Sequence, residues 1–250
     1  VERLHPVLRR RRIRLRRGNR HRHRPAARAR ADRAGAVDQL PLHRHRNRPG
    51  AALIPTFGDR RRIRVGLLGG SFNPAHAGHL HVARAARRGL GLDQVWLLVS
   101  PGNPLKPAAG MASPAARLAS ARAIADGRRI IATDIESRLG TLYTADTLRR
   151  LRTRFPRVDF VWLMGADNLA QFPRWRHWRR IAATTPIAVL PRPGYIAGAL
   201  AGRAAQMLRK RRLAAHEATA LAGAAPPAWL FLPAAQHAVS ASAIRAATGV

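Results

Sequence analysis

GLLGGSFNPAHAGHLHVA, residues 66–83, carries a strand end, a turn and a helix start. An apolar run stops at Gly69 and Gly70, a short polar turn with an Asn-Pro follows, and a helical pattern begins at His76. This handover from buried strand to helix opens an α/β fold. The two glycines are expected to let the backbone turn tightly and approach a ligand without a Cβ in the way. The helix N-terminus offers N–H groups and the positive end of its dipole, an anion site by construction. His76 and His79 stand three apart, so both lie on one face in the first turn and can donate hydrogen bonds to phosphate oxygens. A single histidine at a helix start reads first as a cap or a surface residue. The pair, with two glycines and an Asn-Pro, reads as a phosphate site. His81, two positions on, is expected to face away at the surface. The stretch is neither a P-loop nor a GxGxxG fingerprint. No third ligand stands nearby, so no metal site is expected here.

The pattern continues outward in alternation. QVWLLVS (94–100), RIIATDIE (129–136), DFVWLMGA (159–166), PIAVLPR (186–192) and WLFLPA (229–234) read as five more strands. Ser113-Pro114 reads as an N-cap with proline in the first turn, opening a helix to about residue 126. Helices are also expected at 143–155, with Leu148 and Leu151 inward, at 174–185, as one Ala-rich stretch over 197–223, and from 240 onward. Strands alternating with helices predict a Rossmann-like, doubly wound parallel sheet with helices on both faces. Such folds bind ligands at the carboxyl ends of strands, near the switch point.

Composition narrows the function. The chain has 250 residues, enough for one α/β domain. It contains no cysteine, which excludes disulfides, zinc-thiolate sites and thiol nucleophiles and fits a cytoplasmic protein. No run of about 18 apolar residues suggests a membrane span, and no signal-peptide core follows the basic N-terminus. The net charge is +34, and Lys106 and Lys210 are the only lysines. An arginine- and alanine-rich, lysine-poor chain has the composition of a GC-rich genome product. Residues 1–60 carry 18 arginines against four acidic residues and no sustained apolar period. They read as a disordered basic extension, or as a start assigned too far upstream. Residues 61–250 then form the domain. A nucleic-acid-binding arm would interleave aromatics with its charges, and residues 1–56 have none. Nucleic acid is therefore not the expected partner. The pattern sets no oligomeric state.

GGSFNPAHAGH resembles the HxGH signature of the nucleotidyltransferases, and FNPxHxGH is similar to their nicotinate-mononucleotide adenylyltransferase branch. The resemblance extends from about residue 63 to residue 245 through VSPGNPLKP, LYTADTL, MGADNLAQFPRWRHW, LPRPGY and VSASAIR. It implies direct in-line transfer of AMP from ATP to nicotinate mononucleotide, giving deamido-NAD and pyrophosphate, with Mg2+ carried through the ATP phosphates and no covalent intermediate. On that resemblance His76, His79, Lys106 and Arg245 are the catalytic candidates. The ATP-side candidates are Gly69, Gly70, Ser71, Phe72, Gly165 and Asp167, with Ser240, Ser242 and Ile244 at a second helix start. Tyr143, Thr144, Trp175 and Arg192 would meet nicotinate mononucleotide, with Trp175 stacked on the ring and Trp178 left as core. Read plainly, Thr144 is a helix cap and Tyr143 partial core. Ser242 stands where the family pattern has Thr. Family members continue past this motif, so a domain lacking that C-terminal tail is expected.

Two alternatives stay open. Another HxGH enzyme, such as pantetheine-phosphate adenylyltransferase or a cytidylyltransferase, is disfavoured by His76, where many such relatives have Thr, and by GADNLAQFPRW. From a different class, a basic nucleic-acid-binding protein would show steep salt dependence.

Overall fold

β1 (Ile63–Gly70) hands over to α1 (Ala77–Gly89), and β2 (Gln94–Val99) to α2 (Pro114–Ile124). β3 (Ile130–Thr133) leads into the one-turn α3 (Ile135–Arg138) and then α4 (Thr144–Arg154). β4 (Val158–Gly165) runs into α5 (Ala166–Gln171), a 3-10 turn at Phe172–Arg174 and α6 (Trp178–Thr184). β5 (Ile187–Leu190) is followed by α7 (Ile196–Ala201), α8 (Arg203–Met207), 3-10 segments at Arg209–Arg211 and Ala215–Gly223, and β6 (Trp229–Phe231). This computed structural model describes residue 54, residues 62–102 and residues 110–235.

The strands form one sheet in the order β3-β2-β1-β4-β5-β6, every pair parallel. This is the doubly wound arrangement that the alternation predicts, with the reversal of strand order at β1 and β4. Parallel strands carry helices on both faces and therefore read as continuous apolar runs. All of β5, and β2 after its first residue, are buried. Side chains alternate across the sheet. Leu67, Trp96, Leu98, Phe160 and Trp162 join Leu148, Leu151 and Phe172 in one layer. Leu68, Leu97, Val161 and Leu163 join Ala83, Ala86 and Leu221 in the other. Ile54 is 5 % exposed and belongs to the first layer, although the sequence assigns it to the extension.

Several predicted elements come out shorter, among them the strands expected at 186–192 and 229–234. The third strand stops at Thr133, whose hydroxyl accepts from the Ile135 N–H at 3.2 Å and turns the chain into α3. The helix expected at 174–185 begins only at Trp178, after Pro173 in the 3-10 turn and a left-handed His177 (φ 55°). The Ala-rich stretch is divided at Gly202, which is extended (φ −70°, ψ 160°). Alanine favours helix but offers no side-chain contact to set its length, so a glycine and the pull of the sheet edge decide. There Leu213 N–H donates to Trp229 O at 2.8 Å, and Trp229 Nε1–H donates to Leu208 O at 2.9 Å. No helix among the described residues is long and apolar enough to cross a membrane.

Candidate active site

β1 and β4 lie side by side, but the helices that follow them cover opposite faces. Ala83 and Ala86 of α1 pack in one layer, Ala166 and Leu169 of α5 in the other. In doubly wound sheets ligands bind where such loops diverge, over the carboxyl ends of the strands. Gly69, Gly70, Ser71 and Phe72 stand at that end of β1, and Gly165 and Asp167 at that end of β4.

The glycines do not make the turn. Gly69 and Gly70 are still in β1, and neither has a positive φ. The left-handed residue is Phe72 (φ 48°), an unfavourable position for a bulky side chain. Burial offsets the cost, since the Phe72 ring is 1 % exposed. Gly70 leaves room for that ring, because a Cβ there would lie 3.2 Å from Phe72 Cε2. Gly69 leaves room for Trp162, whose Cη2 would be 2.7 Å from a Cβ. Both glycines are thus explained by packing under the turn. The turn itself is laced to α2. Asn73 Nδ2 donates to Gly110 O at 2.8 Å, its Oδ1 accepts from Ala112 N–H at 3.0 Å, and Ala75 N–H donates to Ser120 Oγ at 3.1 Å.

His76 and His79 form a reciprocal cap. His76 is the N-cap of α1, and its Nδ1 accepts from the Gly78 N–H at 3.1 Å. His79 Nδ1 accepts from the His76 N–H at 3.2 Å. The rings lie 3.9 Å apart between centroids, and Phe72 supports His79 at 4.8 Å. Capping and ligand binding are not alternatives here. A ring nitrogen that accepts an N–H carries no proton, so each neutral imidazole bears its proton on Nε2. The cap thus selects the tautomer that presents an N–H donor from the far side of both rings. His81 is not a bare surface residue. It is half-buried, and its Nε2 lies 2.7 Å from Ala235 O, tying α1 to the segment after β6.

On the β4 side, a Cβ at Gly165 would collide with Asp167 Oδ1, so the glycine makes space for the carboxylate. Asp167 Oδ2 pairs with Arg192 Nη1 at 3.6 Å, while buried Oδ1 has no hydrogen bond among the described residues. The sequence assigns these two residues to different substrates; the fold puts them in contact. Trp175 is half-buried and meets Trp162 and Phe172 edge-to-face at 6.1 and 5.5 Å. Trp178 also packs on Phe172, at 5.5 Å. Arg176 lies over the Tyr143 ring at 4.6 Å. Thr144 is not the cap of α4. Tyr143 holds that position without a side-chain hydrogen bond. The segment is secured instead by Thr147, whose hydroxyl donates to Glu136 Oε1 at 3.0 Å and lies 2.9 Å from Thr141 Oγ1. Burial pushes the Glu136 carboxyl up to about 7, and the Thr147 hydrogen bond offsets part of that rise.

A Cytidylyltransferase-like family profile matches residues 67–247, spanning these strand ends. A protein of Gluconacetobacter diazotrophicus named "Probable nicotinate-nucleotide adenylyltransferase" is 61% identical over 193 residues, 77% of this chain and 90% of its own length. One of the same name from Gluconobacter oxydans is 62% identical over 183 residues, 73% of this chain and 94% of its own. This chain belongs to the nicotinate-nucleotide adenylyltransferase family. The fold agrees with a solved structure of Plasmodium falciparum nicotinic acid mononucleotide adenylyltransferase complexed with NaAD. Its TM-score is 0.55 at 15% identity, covering 74% of this chain and 83% of that one.

As a nucleotidyltransferase of this family, the chain has site candidates beyond those in view. Lys106, Ser240, Ser242, Ile244 and Arg245, and the helix expected from 240, lie outside the described residues. Conversely, Ser120 and Glu136 brace the candidate site from outside the motifs, and Asn73 and Thr147 do so from within them, where neither is given a role of its own. Asn73 sits inside the quoted stretch, where its bare spacing shows no partner. Glu136 was masked by its neighbours, which read as a strand.

Proposed function

We propose that this chain transfers AMP from MgATP to nicotinate mononucleotide, forming deamido-NAD and pyrophosphate. A mononucleotide phosphate oxygen bonds to the ATP α-phosphorus as the bond from that phosphorus to the α,β-bridging oxygen breaks. The leaving pyrophosphate takes that electron pair. Such transfer needs positioning and charge neutralisation rather than a protein nucleophile. The observation that carries the proposal is the imidazole pair at the switch point, its Nδ1 atoms occupied by the cap. His76 and His79 then donate from Nε2 to α- and β-phosphate oxygens, with backbone amides near Gly70, Ser71 and Phe72. The two imidazoles offer N–H donors rather than the oxygen ligands that magnesium takes, so the ion would be carried by the ATP phosphates and water. Lys106 and Arg245 are assigned to the phosphates on sequence alone, and Ser240, Ser242 and Ile244 to the second anion site. Asp167, lodged over Gly165, accepts from ribose hydroxyls. Tyr143, Thr144, Trp175 and Arg192 receive the mononucleotide. With ATP as donor, we place the reaction in the cytoplasm.

Arg192 is assigned to the mononucleotide and Arg176 lies over the ring of Tyr143, which is assigned to it too, and a guanidinium fork suits a carboxylate. The acid should therefore be preferred over nicotinamide mononucleotide. Pyrophosphate release measured with ATP and each mononucleotide tests both points. Faster release with the acid supports the proposal. Equal or faster release with the amide rejects the preference, and no release with either rejects the reaction.

A further inference from the structure

Arg117 is the buried cation that the catalytic scheme leaves unused. It lies on α2, in a sequence of small residues, and is 2 % exposed. Its Nε–H donates to Ala112 O at 3.0 Å. Nη1 donates to Ser71 O at 2.9 Å and to Ser100 O at 2.6 Å, and Nη2 to Pro101 O at 3.2 Å. One side chain therefore ties the turn after β1, the turn after β2 and the approach to α2. No carboxylate pairs with it among the described residues. A buried charge without a counter-charge is costly to keep, and burial lowers the guanidinium pKa below its ordinary value. A fully apolar or neutral residue would avoid that cost if only packing were required.

The geometry of the peptide bond gives the charge a use. Across a trans peptide the C=O of one residue and the N–H of the next point in opposite directions. The Ser71–Phe72 and Pro101–Gly102 bonds are not among the cis peptides. Drawing the Ser71 carbonyl toward α2 therefore turns the Phe72 N–H away from it. The same holds for the Pro101 carbonyl and the Gly102 N–H. Neither amide has an acceptor among the described residues.

We propose that Arg117 is a positioning residue for the transfer. It holds the Ser71 and Pro101 carbonyls inward, so that the Phe72 and Gly102 amides are preset as donors to the ATP phosphates. Its own charge is balanced when that polyanion binds. This rests on the nucleotidyl-transfer reading above. Lysine keeps the charge but concentrates three donors at one point, and cannot span carbonyls on three segments. Methionine keeps much of the volume and loses both charge and donors.

The test is steady-state kinetics and thermal unfolding of wild type, Arg117→Lys, Arg117→Met and Arg122→Met. Arg122 is an exposed residue of the same helix and controls for net charge. Arg117→Met should lower kcat on the order of a hundredfold, the scale of losing preorganised oxyanion donors. Arg117→Lys should fall between it and wild type. KM for the mononucleotide should stay within about threefold of wild type in both, and Arg122→Met should match wild type. The proposal is overturned if both variants keep wild-type kcat below their melting temperatures, or if mononucleotide KM rises as much as kcat falls. A loss in Arg122→Met equal to that in Arg117→Met also overturns it, as does failure of both Arg117 variants to fold, which makes the residue a staple. No release by wild type refutes the reaction itself, and the proposal with it.

Discussion

His79 uses its two ring nitrogens for different ends: Nδ1 closes the cap on His76, and Nε2 carries the proton. Two substitutions separate these uses. In His79→Asn the amide oxygen can still accept the His76 N–H, but nothing reaches where Nε2 stood. In His79→Ala both are lost. Both variants should lose on the order of a hundredfold or more in kcat, with mononucleotide binding retained. Only His79→Ala should also lose a cap worth about 1 kcal/mol, seen as a lower melting temperature than His79→Asn. Normal turnover at saturation with weakened binding would assign the histidine to ground-state binding. The glycines show the limit of reading residues one at a time. Gly69 and Gly70 stand where a ligand loop needs small residues, yet the atoms they make room for are those of Trp162 and Phe72. The first of these is about 90 residues distant, so no local pattern could reveal it.

The α3–α4 segment shows how an element can depend on one buried proton. Glu136 is 5 % exposed and linked through Thr147 and Thr141 to the start of α4, where Tyr143 and Thr144 stand. Its carboxyl is raised from an ordinary 4.5 to about 7. Between those values the folded chain keeps a proton that the unfolded chain has released, so stability falls as pH rises through that window. Glu136→Gln removes the slope while keeping an acceptor for Thr147. Denaturant unfolding should show the variant more stable than wild type at pH 8, on the order of 3 kcal/mol for this shift of its carboxyl from 4.5 to about 7. No such gain should remain near pH 4. A wild-type curve flat between pH 4.5 and 7 would contradict the buried acid. Read as sequence, RIIATDIE is an apolar run that ends in an acid, and strand is its natural assignment. The hydroxyl of Thr133, capping Ile135 two residues on, and the burial of Glu136 cut it short, and the second depends on Thr147 of α4.

For the molecule as a whole, the sheet needs both apolar faces covered, and one contact to that cover lies upstream of β1. Ile54 is buried in the layer with Val65, Phe155 and Phe160. A chain beginning at residue 50 should therefore melt above one beginning at residue 60. The difference should be about 1.5–3 kcal/mol, the scale of burying one isoleucine, and equal unfolding curves would show that Ile54 adds nothing. Strand positions, parallel pairing and the enzyme family were legible in the chain, because they depend on local apolar periods and on a motif whose parts are contiguous. The placing of His76 beside His79 at the start of α1 was legible for the same reason. The tautomer of those histidines, the left-handed Phe72, the Asp167–Arg192 pair and the Arg117 anchor were not. The Asp167–Arg192 pair and the Arg117 anchor arise where segments distant in sequence meet at the carboxyl edge of the sheet, whereas the tautomer follows from a cap closed within three residues. Burial, and a hydrogen bond between such segments, come into being only when they are packed together, and they orient side chains that the motif only spells out.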